Sequence, residues 1–111
     1  MIGKSFDTFG PMGPALVTAD EIPDPQQLEL RLTLNGLELQ HTNTRHMIFS
    51  IAYVIAYLST VMTLEPGDII STGTPGKTPL AATVPPFMKP GDKVCIYVEK
   101  IGELANPVLP E

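Results

Sequence analysis

The chain has 111 residues, 43% hydrophobic and 17% charged, with a formal net charge of −5. That is apolar enough for one globular domain or part of one, and it excludes a disordered polyelectrolyte. Seven Lys and Arg stand against twelve Asp and Glu and form no basic stripe, which argues against nucleic acid or an anionic membrane as a partner.

Cys95 is the single cysteine, so neither a disulfide framework nor a thiolate metal site is available within one chain. Its place in an alternating run reads as a buried structural thiol in a reducing, cytoplasmic setting. No apolar leader opens the sequence. The longest apolar stretch, 47–62, is interrupted by Ser50, Tyr53, Tyr57, Ser59 and Thr60 and is too short and polar for a membrane span. Twelve prolines and nine glycines indicate a turn-rich chain with more β than α structure.

In chain order, Gly3-Lys4-Ser5 matches only the last three residues of a phosphate-binding loop. A preceding strand and an earlier glycine are missing, and Pro11 opposes the helix that should follow. Residues 9–22 read as irregular, with a short extended piece at Leu16 and Val17, and Pro23-Asp24-Pro25 as a rigid turn. Residues 28–34 alternate strictly. Leu28, Leu30, Leu32 and Leu34 are expected to face a core, with Glu29, Arg31 and Thr33 outward. Asn35-Gly36 predicts a type I′ hairpin turn, since both residues tolerate positive φ. Leu37 to Gln40 is expected to pair back, Leu37 and Leu39 inward, Glu38 and Gln40 outward.

Asn43 or Thr44 is the predicted cap of a helix from about Arg45 to Val61. Met47, Ile51, Val54, Ile55, Leu58, Val61 and Met62 recur at helical spacing. Ile48 and Phe49 widen the arc, so the helix is expected to be buried on more than one side. Then a motif occurs twice: Leu64-Glu65-Pro66-Gly67-Asp68 and Met88-Lys89-Pro90-Gly91-Asp92. Pro-Gly suits the centre of a type II turn, and each copy is expected to launch a strand, Asp68–Ser71 and Lys93–Glu99. The intervening residues 73–86 form a long loop of the kind that is usually functional. A last turn at Ile101-Gly102 precedes an extended piece at 104–108.

Few groups here can do chemistry. Ser71-Thr72-Gly73-Thr74-Pro75 follows a predicted strand, and its hydroxyls and glycine could contact an anion or carbonyl; the plain alternative is a Ser/Thr-rich turn. His41 and His46 lack metal-ligand spacing and read as surface or capping residues. Asp20, Glu21 and Asp24 read as solvated turn carboxylates. No Ser-His-Asp set is present.

Taken together, Gly3-Lys4-Ser5-Phe6-Asp7-Thr8, Ile22-Pro23-Asp24-Pro25, Asn35-Gly36, Asn43-Thr44, Met47-Ile48-Phe49-Ser50, the two Pro-Gly-Asp turns and Ser71-Thr72-Gly73-Thr74-Pro75 occur in an order that resembles the fumarylacetoacetate hydrolase family. The similarity is to the C-terminal part of its catalytic domain and covers nearly the whole chain, 1–111. It implies a mainly β fold, a mixed β-sandwich roll, incomplete here, with one buried helix.

It implies a metal-dependent hydrolase or isomerase of β-diketo or 2-hydroxy-dienoic acids in aromatic or dicarboxylic acid catabolism. Members use Mg2+ or Mn2+ as a Lewis acid and are usually dimeric. Lys4 matches the family's active-site lysine, which stabilises a developing oxyanion. Thr8 matches a position near the metal in some members, and Thr72 a substrate-contacting threonine. The family's Glu-x-Glu pair and aspartate, its metal ligands, precede that lysine, and no carboxylate of this chain maps onto them. The resemblance therefore implies a fragment without its own metal site. The alternative is an inert remnant or interaction module. In isolation such a fragment is expected to bind Mg2+ poorly and to be poorly soluble.

Overall fold

The structure, a computed structural model, describes residues 5–83 and 87–110. Its frame is one antiparallel sheet of four strands: β1 (Glu29–Leu34), β2 (Leu37–Asn43), β3 (Lys93–Val98) and β4 (Gly102–Pro107), in the order β2-β1-β3-β4. Among the described residues a single α-helix, α1 (Ile51–Ser59), lies between β2 and β3 in sequence. This is part of the fold expected from the resemblance.

The strands follow from alternation. Leu30 pairs with Val98, Leu32 with Ile96 and Leu34 with Val94, so the apolar positions of β1 and β3 share one face. Leu104 of β4 extends that face beside Ile96. Arg31 pairs with Tyr97 and with His41 on the other face. Asn35 (φ 52°) and Gly36 (φ 82°) make the predicted tight turn between β1 and β2. The core is small: Ile22, Leu28 and Leu34 are the buried hydrophobic residues among those described. Cys95 is half-buried rather than buried.

β2 departs from the expected pattern. Leu32 pairs with Gln40 and Thr33 with Glu38, which leaves Leu39 as an extra residue, a β-bulge. Regular alternation from the turn would put Gln40 beside Arg31 on the polar face. The bulge instead brings Gln40 and Thr42 onto the face of Leu32 and Leu30.

The helix is shorter than its periodicity suggests because two caps compete for the segment. Asn43 Oδ1 accepts from Arg45 N (3.0 Å) and starts a 3-10 turn at Thr44–His46. Met47 then returns to extended backbone, and Ser50 starts α1, its Oγ accepting from Tyr53 N (3.2 Å). Gln26 joins the two pieces. Its Nε2 donates to the Thr44 carbonyl (2.6 Å), and its Oε1 accepts from Ile51 N, one of the donors left open at the helix start (2.9 Å).

The helix is also not buried. None of its nine residues is buried, and Ile48 just before it is 92% exposed. The apolar arc is real, but only its Ile51, Val54 and Leu58 stripe is half-buried, while Tyr53, Ile55 and Tyr57 are exposed.

Both Pro-Gly-Asp turns form with the same geometry. Gly67 (φ 103°) and Gly91 (φ 93°) occupy the position that demands positive φ. Asp68 N donates to the Glu65 carbonyl and Asp92 N to that of Lys89, each at 3.0 Å. The carboxylates of Asp68 and Asp92 accept in return from Glu65 N (2.8 Å) and Lys89 N (2.9 Å). The second turn leads into β3, but the first leads into no strand. Asp68–Ser71 finds no ladder partner among the described residues, and Ile69 is 71% exposed.

Candidate functional site

The hydroxyl-rich segment Ser71–Pro75 is held along the β2 edge by residues on either side of the bulge. Gln40 Nε2 donates to Thr74 Oγ1 (3.1 Å) and to the Pro75 carbonyl (2.7 Å). Thr78 N donates to the carbonyl of Leu39, the bulged residue (2.8 Å), and Thr78 Oγ1 to that of Glu38 (3.1 Å). A bulge that frees a carbonyl and turns a side chain to a new face is thus what docks the loop. Thr78 also precedes the 3-10 turn Pro79–Thr83, which breaks up the long predicted loop.

Thr72 sits two residues before Thr74 and is exposed. Gly73 after it has φ 102°, a conformation in which a side chain would be strained. Thr72 is therefore presented to solvent from a backbone anchored at Thr74, Pro75 and Thr78. A threonine hydroxyl there can donate one hydrogen bond to a carboxylate or carbonyl oxygen and accept another.

Thr8 lies in a separate turn, closed by Phe9 N donating to the Phe6 carbonyl (3.2 Å). Its φ of 71° is rare for a β-branched residue, and such strain is often kept where a site requires it. The rings of Phe6 and Phe9 meet across the turn at 5.2 Å. Thr8 is exposed. Among the described residues no hydrogen bond or ion pair joins this turn to the Thr72 segment. Lys4 lies outside the described residues.

Two other polar clusters were not foreseen as such. Asp92 is buried, 5% exposed, and links three elements. Its Oδ1 accepts from Asn35 Nδ2 (2.9 Å) and its Oδ2 from Lys89 N, while Asn35 Oδ1 accepts from Lys93 N (2.9 Å). The Asn35 hydrogen bond, then that from Lys89 N, holds the Asp92 carboxyl below the usual carboxylate range. On the polar face of the sheet, Glu29 accepts from the Arg31 guanidinium and meets His41 Nε2 at 2.8 Å. The opposite His41 nitrogen lies 3.2 Å from Glu38. Arg31 first, then His41, lowers the Glu29 carboxyl. His41 is thus a surface residue, as its spacing suggested. Among the described residues no group of three or more His, Cys, Asp or Glu is arranged to hold a metal ion, so these residues do not themselves fit a divalent cation.

Gln40 is the residue that sequence reasoning missed. Leu37-Glu38-Leu39-Gln40 alternates cleanly, and nothing in it announces an extra residue.

Comparison with known proteins decides the lineage. The profile for "Fumarylacetoacetate (FAA) hydrolase C-terminal" matches residues 1–109. The chain belongs to the fumarylacetoacetate hydrolase family. A family relative from Burkholderia cenocepacia (strain HI2424), provisionally named a hydrolase, is 53% identical over 102 residues, 91% of this chain and 36% of the relative. The solved structure of maleylpyruvate hydrolase from Sphingobium sp. SYK-6, in complex with manganese (II) ion and pyruvate, is 42% identical. It superposes with a TM-score of 0.81, covering 94% of this chain and 37% of that one. A 2-hydroxyhepta-2,4-diene-1,7-dioate isomerase from Mycobacterium marinum is 45% identical with a TM-score of 0.77, covering 94% and 37%. The family thus includes hydrolases and isomerases, and this chain spans a little over a third of the length of these relatives. No helix among the described residues is long and apolar enough to cross a membrane.

Proposed function

We propose that residues 1–111 are the C-terminal part of a catalytic domain that acts on small keto or dienoic acids. The reaction is C–C bond hydrolysis, decarboxylation or keto-enol isomerisation of a β-diketo or 2-hydroxy-dienoic acid, of the kind met in aromatic or dicarboxylic acid catabolism. The observation that carries this reading is the 42% identity, over 94% of the chain, to a hydrolase solved with manganese and pyruvate.

Such a domain uses Mg2+ or Mn2+, which as a Lewis acid polarises a keto-acid oxygen. No carboxylate cage forms among the described residues, so its ligands would come from outside them. The chain's own contribution is positioning and charge. The Lys4 ammonium would stabilise negative charge on an enolate or tetrahedral oxygen. The Thr72 hydroxyl would donate to the substrate's carboxylate from the segment anchored by Gln40. Thr8, in its strained turn, would border the metal. The resemblance adds a homodimer for the whole protein and a cytoplasmic location.

A second reading, an inert remnant or interaction module, draws on the same lack of a metal-holding group among the described residues. A chimera separates the two. The upstream part of the Burkholderia cenocepacia relative, joined ahead of this chain, should release pyruvate from acylpyruvates in the presence of Mn2+. Lys4→Met should abolish turnover. Thr72→Val should raise KM roughly 10- to 100-fold, the loss of a hydrogen bond to a charged group. A folded chimera with no turnover on any of these acids, or one indifferent to Lys4→Met, would overturn the proposal.

A further inference from the structure

The Asn35-Gly36 turn can react with itself. An asparagine followed by glycine cyclises readily, because the next backbone N–H reaches the side-chain amide with no β-carbon in the way. The other two asparagines lack that opening. Thr44, which follows Asn43, is β-branched, and Pro107, which follows Asn106, has no N–H. Asn35 and Gly36 are both exposed, so water reaches the pair, and Gly36 N donates no hydrogen bond among the described residues. The Asn35 amide, however, is not free to turn toward Gly36. Its Oδ1 accepts from Lys93 N and its Nδ2 donates to Asp92 Oδ1, each at 2.9 Å. Asn35 N also donates to the Lys93 carbonyl (2.9 Å), so backbone and side chain are both tied to the start of β3. Asp92 is 5% exposed and held in its own turn by Lys89 N, so it cannot follow the amide outward. Ring closure needs both side-chain bonds broken, and the one to a carboxylate is of the stronger kind.

We infer that Asn35 is a self-modification site that the Asp92–Lys93 clamp keeps closed. While the clamp holds, the residue persists as asparagine; when the clamp opens, it converts to aspartate or isoaspartate. In that step Gly36 N bonds to Asn35 Cγ, the Cγ–Nδ2 bond breaks, and Nδ2 leaves as ammonia with the proton given up by Gly36 N. Water then opens the succinimide at one carbonyl or the other. Neither product restores the clamp. Aspartate at position 35 sets a second carboxylate against that of buried Asp92, two like charges where a hydrogen bond had been. Isoaspartate adds a methylene to the backbone of a two-residue turn, whose geometry sets the pairing of Leu34 with Leu37. The conversion therefore runs one way, and an opening of the β1–β3 joint long enough to allow it leaves a turn that no longer closes on Asp92.

This inference is independent of the reaction proposed above, and its readout is a covalent change rather than turnover. The test incubates the 111-residue chain in mildly basic buffer, with and without urea, and follows Asn35 by peptide mass spectrometry, with Asn43 and Asn106 as references in the same chain. Conversion at Asn35 should be roughly tenfold or more slower in the folded chain than in urea, the equivalent of a hydrogen bond to a charged group, and both references should lag far behind in urea. Asp92→Ala, shown to be folded by amide protection across β1 and β3, should speed conversion in buffer by roughly the same factor. Asn35→Asp should lower the urea midpoint at neutral pH, and adding Asp92→Asn should restore it. That last pair decides the matter if Asp92→Ala does not fold. Any of three results would overturn the clamp: equal rates in the folded and unfolded chain, a folded Asp92→Ala chain that converts no faster, or an Asn35→Asp midpoint that is unchanged or is not recovered by Asp92→Asn.

Discussion

Asn35 does three things at once. It supplies positive φ to the β1–β2 turn, accepts from Lys93 N and donates to Asp92. Asn35→Gly keeps the turn and loses the side-chain bonds, about 1–2 kcal/mol, while Asn35→Ala adds about 1 kcal/mol of backbone strain. Urea melts of the two variants should therefore rank Ala below Gly, and equal midpoints would remove the turn's part in the argument. The acid dependence runs through Asp92. Its carboxyl is held below the usual range in the folded chain, so its stabilisation is complete above the unfolded value near pH 4 and fades as pH falls through the folded value. Thermal melts between pH 7 and pH 3 should show that loss, and Asp92→Asn should flatten it. Gln40 belongs to this scale too. Gln40→Ala should speed amide exchange at 71–75 while leaving β1 and β3 protected, since its bonds reach only the edge loop.

At the scale of elements, the two Pro-Gly-Asp turns form a controlled pair. Both glycines sit near φ 100°, yet only the second turn leads into the sheet. Gly91→Ala should lower global stability by about 1–2 kcal/mol, while Gly67→Ala should strain only a segment outside the cooperative unit and barely move the melt. Similar losses at both positions would mean that residues 65–71 unfold with the sheet. Ser50→Ala should cost α1 about 1 kcal/mol of cap energy and visibly reduce helical signal, because no buried residue holds the helix otherwise.

The same elements show what could be read in advance. β1, β3, β4 and the Asn35-Gly36 turn were legible because alternation and turn chemistry are local. The length of α1 was not, because Asn43 and Ser50 both cap and periodicity runs straight through them. The burial of α1 and the pairing of Asp68–Ser71 failed for a different reason. Those patterns describe a finished domain, and the surfaces that would complete them are not among the described residues. The segment Ser71–Pro75 could be singled out from hydroxyls and a glycine, and Thr72 within it only through the family resemblance, but its anchoring by Gln40 depends on a bulge that leaves no mark in the residue types.

For the molecule as a whole, the strand order has a consequence for how the sheet assembles. β1–β2 and β3–β4 are each hairpins closed by a short turn, whereas β1 meets β3 through pairs such as Leu30 with Val98, far apart in sequence. Hairpins close on the order of microseconds, and the long-range joint pays the closure entropy of everything between. The sheet is thus two quick, nearly independent halves and one slow weld, with α1 and the Thr72 segment carried on the excursion between them. Leu34→Ala, at the buried end of that weld, should cost about 2–4 kcal/mol and should appear mainly as slower refolding in stopped-flow traces. An effect confined to the unfolding rate would place the weld after the barrier. Until the weld sets, the excursion is tethered at only one end, and in that interval a strand from elsewhere could lie down beside Ile69 without threading a closed ring.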